Sequence, residues 1–142
     1  MSWTASAGDA DEGPEPRRLV VQASGNVVCA GGAVEVFGAG NRAVLRVERD
    51  GTFVEELLLL RMRRGVIAVV NRCPHMGRAL DDGRLRAGVL RCRGHGRSYN
   101  LRTGRTAGNL SFGGPPRLTK AAAWTEGGQV FVDIEGIAPR TS

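Results

Sequence analysis

Histidine is scarce in this chain: two residues in 142. Cysteine occurs three times, tyrosine once, aromatic residues make up 5%, and a single lysine stands among 20 basic side chains. Each shortage excludes something. An odd cysteine count leaves at least one thiol without an intramolecular partner, and three cysteines make no disulfide framework. Basic residues interleaved with stacking aromatics are missing, as is any base-reading motif, so nucleic acid is not an expected ligand. No stretch reaches the ~20 apolar residues of a helical membrane span. Convincing amphipathic helices, repeats and low-complexity tracts are absent too.

What is present suits short strands. Glycine is abundant at 21 residues, and apolar runs or alternation recur at 19–23, 33–37, 43–47, 53–60, 66–70, 89–91, 117–124 and 130–134. The segment 55–60 is ambiguous, because leucine and glutamate favour helix. It reads as a strand continuing toward Met62, since Gly51 and Gly65 bound a hairpin-sized unit. An all-β domain is expected over 18–136. Residues 1–17 are acidic and broken by proline, which predicts a disordered tail. Residues 137–142 read as a short C-terminal tail.

Both histidines and two of the three cysteines fall in two clips, Cys73-Pro74-His75 and Cys92-Arg93-Gly94-His95, with 16 residues between His75 and Cys92. A thiolate and an imidazole on one tight loop can turn toward one centre, and a second such loop completes four ligands. Zinc accepts two cysteines and two histidines, yet its usual fingers pair like with like. Mixed pairs suit a centre with two unlike metal positions.

The segment Asn71 through Leu80, followed by Cys92 through Gly104, resembles the Rieske motif of C-x-H, a spacer, then C-x-x-H. The resemblance implies a 2Fe-2S cluster with Cys73 and Cys92 on one iron and His75 and His95 on the other. It also implies a Rieske-like antiparallel β-sandwich carrying a small cluster-binding subdomain of two loops, about 71–104. Leu80, Gly83 and Gly88 fall where the family has a leucine and turn glycines, and Tyr99 through Gly104 echoes the strand and turn after its second loop. By the same match Gly77, Gly94, Tyr99, Pro115 and Pro116 surround the cluster, the two prolines in a loop lying over it. Pro115-Pro116 also reads as a surface turn ahead of a strand. A structural zinc module remains the competing reading of the ligands.

High-potential members of the family carry two further cysteines, whose places here hold Arg78 and Gly94. The chain therefore resembles the stand-alone ferredoxins that serve bacterial oxygenases. One feature resembles the high-potential members instead: Tyr99 stands where their tyrosine donates a hydrogen bond to a ligand sulfur, which favours the reduced cluster; its other role is aromatic packing. A low to intermediate potential follows. The third cysteine, Cys29, reads as a small buried apolar residue or as a redox thiol.

Nine arginines against Asp81 and Asp82 between residues 72 and 105 leave a local excess of seven positive charges, more than the +6 of the whole chain. A basic rim would steer an acidic partner, with Arg78, Arg93 and Arg97 as docking residues. Arginine-rich composition alone would give the same count. The partners implied by the resemblance are a flavin-dependent reductase and a terminal oxygenase. No catalytic residue is expected in the chain itself, because the mononuclear iron of an oxygenase needs two histidines and a carboxylate, and both histidines are committed. Ser-His and Cys-His nucleophile pairs fail for the same reason. The alternative is an accessory subunit like those of assimilatory nitrite reductases. Arg17-Arg18 ahead of residues 19–21 invites a twin-arginine export reading, but Gln22, Ser24, Gly25 and Asn26 interrupt the apolar stretch. A first strand and a cytoplasmic location are expected instead.

Overall fold

Four consecutive leucines, 57–60, cannot face one side of a strand, because successive side chains alternate. Each face must find its own cover. In the computed structural model, which describes residues 15–74, 77–94, 97–106 and 117–137, the leucines lie in an 11-residue strand and all four are fully buried. Leu57 and Leu59 join one apolar core, while Leu58 and Leu60 join another.

In chain order the elements are β1 (Arg17–Gln22), β2 (Val27–Gly32), α1 (Ala33–Phe37), β3 (Arg42–Arg49), β4 (Thr52–Met62), β5 (Gly65–Val70), β6 (Arg84–Arg86), β7 (Val89–Arg91), β8 (Ser98–Asn100), β9 (Lys120–Glu126) and β10 (Gln129–Asp133). Seven strands form one ladder in the order β1-β3-β4-β5-β9-β10-β2, and β6-β7-β8 form a separate three-stranded sheet. The all-β class holds. Every pairing is antiparallel except β1 with β3, which run parallel from Arg17 opposite Ala43 to Gln22 opposite Glu48. β1 and β2, at opposite ends of the ladder, lie against each other. The halves β1-β3-β4-β5 and β9-β10-β2 enclose the first core, which includes Leu45, Leu57, Leu59, Val130 and Val132.

Turn chemistry places the hairpins. Asp50-Gly51 joins β3 to β4 with positive φ at both residues, 53° and 75°. That is the conformation of a two-residue turn whose twist matches the strands. Ala87-Gly88 and Gly127-Gly128 do the same for β6–β7 and β9–β10.

Residues 33–37 are a correction to the strand reading: they form α1. Five residues are too few for apolar alternation to separate a strand from a helical turn. The Glu35 carboxylate accepts from the Gly32 N–H at 3.1 Å, and Gly38, at φ 57°, donates to Val34 O at 2.8 Å and ends the turn. Val36 and Phe37 are buried, whereas Val34 is exposed. β2 was not among the expected strands; it occupies the polar-flanked Val27–Gly32. β1 opens at Arg17, so the strand takes the last residue of the expected 1–17 tail and starts two residues ahead of the expected run 19–23. Residues 1–14 of the expected tail lie outside the described residues, as do 138–142. Among the described residues no helix is long and apolar enough to cross a membrane.

Candidate metal centre

The second core lies on the outer face of β3-β4-β5, where Val44, Leu58, Leu60 and Val69 meet Leu80, Leu90 and Leu101 from the segment that follows β5. Cys73 and Cys92 belong to this core, and both are completely buried. Register explains the third side chain: β7 pairs with β8 so that Leu90 faces Tyr99, and both point inward. Tyr99 is fully buried, with its phenol oxygen 3.3 Å from Cys73 Sγ. Burial pushes the phenol above its usual ionisation range, and the hydrogen bond with Cys73 adds to the rise.

The two cysteine loops are closed alike. Cys73 N–H donates to Arg78 O at 2.6 Å, and Cys92 N–H donates to Arg97 O at 2.8 Å. Each bond spans five residues. The first loop is tightened by Gly77, whose N–H donates to Cys73 O at 2.6 Å from a left-handed φ of 79°. Gly94 is where the loops touch: a Cβ there would lie 2.5 Å from Arg78 Cδ. Any side chain there would displace the Arg78 side chain from its path across the second loop.

Polar bonds fix the first loop to the sheet. Asn71, buried at the end of β5, accepts from Leu80 N–H at 2.9 Å and donates from Nδ2 to Glu56 and to Asp81, each at 3.0 Å. Asp81 also accepts from Arg18 at 2.8 Å, and its carbonyl accepts from buried Arg42 at 2.6 Å. Asp82 accepts from Arg78 at 3.0 Å through its carboxylate and from Arg93 at 2.6 Å through its carbonyl. These bonds were not foreseen. The available signal was that Asp81 and Asp82 are the only acidic residues among nine arginines.

Of the expected site residues, Cys73, Cys92, Tyr99, Gly77 and Gly94 come together as described. Arg78 and Arg93 are exposed, yet both turn toward Asp82, and Arg97 is half-buried. His75, His95, Pro115 and Pro116 lie outside the described residues. In sequence His75 lies between Cys73 and Arg78, and His95 between Cys92 and Arg97. Among the described residues no group of three or more acidic, cysteine or histidine side chains gathers as a metal site. Cys29 is exposed rather than buried, and donates to Gln129 Oε1 at 3.3 Å.

Two buried thiols, each at the root of a closed loop, with a phenol hydroxyl aimed at one, are a soft donor set in a dry wall. That set fits an iron–sulfur cluster. A family model described as the Rieske 2Fe-2S domain matches residues 17–112. The chain belongs to the Rieske family. Its cofactor is accordingly the Rieske 2Fe-2S cluster. Solved structures carry the same Rieske fold at low identity. One is a chain in the complex of reduced oxygenase and oxidized ferredoxin of carbazole 1,9a-dioxygenase, with TM-score 0.60, 22% identity, and coverage of 82% of this chain and 98% of that one. Another is the ferredoxin of carbazole 1,9a-dioxygenase from Nocardioides aromaticivorans IC177, with TM-score 0.57, 22% identity and coverage of 80% and 99%. Apo dicamba monooxygenase gives TM-score 0.57 at 21% identity, with 75% of this chain covering 32% of that one. No curated protein sequence matches the chain.

Proposed function

We propose that Cys73, His75, Cys92 and His95 hold the cluster and that the chain is a one-electron carrier without a catalytic site of its own. In this reading it takes an electron from a flavin-dependent reductase and passes it to a terminal oxygenase or similar acidic acceptor, in a reducing, cytoplasmic setting. The observation that carries the ligand assignment is the pair of fully buried cysteines at the roots of two loops closed by the same five-residue bond. A bound cluster supplies reversible one-electron chemistry. The protein's own groups do the rest. Leu58, Leu60, Leu80 and Leu90 keep water from the cysteine side. Tyr99 aims its hydroxyl at Cys73; either group can donate while the thiol is protonated, but once Cys73 is a thiolate only the phenol can. Arginines around the loops present positive charge to an acidic partner. The chain spans nearly the whole of the matched ferredoxin and a third of the monooxygenase.

Purification tests this. The expected protein is red-brown, binds two irons and gives a rhombic EPR signal after dithionite reduction. A colourless protein that binds zinc through the same cysteines would refute the cluster assignment.

A further inference from the structure

The two acidic residues of the arginine-rich segment stand side by side and face opposite ways. Asp81 turns to the sheet: Arg18 of β1, Asn71 at the end of β5 and Arg42 of β3 all bond it. Asp82 turns to the loops. Its carboxylate accepts from Arg78 in the first loop and its carbonyl from Arg93 in the second. Arg78 reaches Asp82 by crossing Gly94, so the loops touch under the same bond.

We infer that the Asp81-Asp82 turn is a positioning latch that ties the strands of the large sheet to both cysteine loops and sets the separation of those loops. The inference rests on the reading that Cys73 and Cys92 hold the cluster. Stability alone does not account for the arrangement. Arg78 and Asp82 are each about half exposed, and such pairs contribute little to folding. Their placement across the contact between the loops is what gives them an effect. Asp82 bonds Arg78 and Arg93, and through them it acts on the loops. It is a positioning residue.

The test compares Asp82→Ala and Asp82→Asn with the wild-type holoprotein, reading amide hydrogen exchange at Cys92 and Cys73 and the g-value spread of the reduced EPR signal. Asp82→Ala removes the acceptor of Arg78. It is expected to speed exchange of the loop amides about two- to fivefold and to shift the g-value spread. Asp82→Asn carries the same change in charge but keeps an acceptor oxygen, so it should remain close to wild type on both readouts. Wild-type behaviour of Asp82→Ala overturns the latch, and so does an Asp82→Asn variant as perturbed as Asp82→Ala, since charge rather than position would then matter. If Asp82→Ala does not fold, Arg93→Ala opens the other arm and must raise exchange at Cys92; an unchanged rate there refutes the inference. A wild-type protein without a rhombic signal defeats the cluster reading instead, while the exchange comparison still decides whether Asp82 ties the loops.

Discussion

Replacing Tyr99 by phenylalanine removes one oxygen from a fully buried ring and leaves the aromatic packing in place. The deleted group is the hydroxyl 3.3 Å from Cys73 Sγ. A hydrogen bond of this kind contributes about 1 kcal/mol net, and more when its acceptor is charged. A bond to a ligand sulfur is stronger in the reduced, more negative state, so its loss lowers the potential. With 59 mV per tenfold change for a one-electron couple, a differential of about 1 kcal/mol corresponds to about 40 mV. Tyr99→Phe should therefore move the midpoint about 40 mV downward, measured by redox titration of the purified holoprotein, with no loss of cluster. A shift below about 10 mV, or one in the upward direction, would refute the argument that the phenol tunes the sulfur. Thermal unfolding serves as the control. A variant that also melts far earlier would show that the ring itself had moved.

Tyr99 is the sole tyrosine, so tyrosinate absorbance at alkaline pH reports this site alone. Its folded-state pKa is raised, so the neutral phenol is favoured by folding; that stability is complete below the ordinary value of about 10 and is lost as pH climbs above it. Titration in the native protein at the value seen in denaturant would contradict the burial of the hydroxyl. Glu48 has the opposite sign. Hydrogen bonds from Arg46 and Gln22 hold its carboxyl below the usual glutamate value, so its contribution is present above that value and fades as pH falls through the lowered one; carboxyl NMR titrating at or above the ordinary value would exclude these bonds in solution. Leu58→Ala should cost about 2–5 kcal/mol in denaturant unfolding, whereas Val34→Ala, on the exposed side of α1, should change little. Equal effects would mean that Leu58 does not pack beneath the loops.

The strands were legible where pattern and turn chemistry agreed. The run 53–60 read as a strand because glycines bounded it, although leucine and glutamate favour helix. Its second meaning was hidden, since a continuous apolar run cannot say which faces have partners until the loops fold back to cover Leu58 and Leu60. Residues 33–37 misled because a five-residue apolar segment fits either period, and the flanking Gly31-Gly32 and Gly38 were the better signal. Cys73 and Cys92 were legible from spacing and type. Asn71 and Asp81 were not, because a hub of hydrogen bonds among β1, β3, β5 and the first loop has no local pattern. Arg78 and Gly94, read as the places of absent cysteines, proved to be packed against each other.

Because β4 is covered on both sides, the two cores share a wall. Melting of the large sheet uncovers Leu58 and Leu60, and release of the cysteine loops strips the same strand. By mass action, whatever the cysteines retain in the folded chain and release from the unfolded one raises the melting temperature of the entire domain. Cofactor occupancy and thermal lifetime thereby become one linked quantity, carried through four leucines that lie well before Cys73 and Cys92 in sequence.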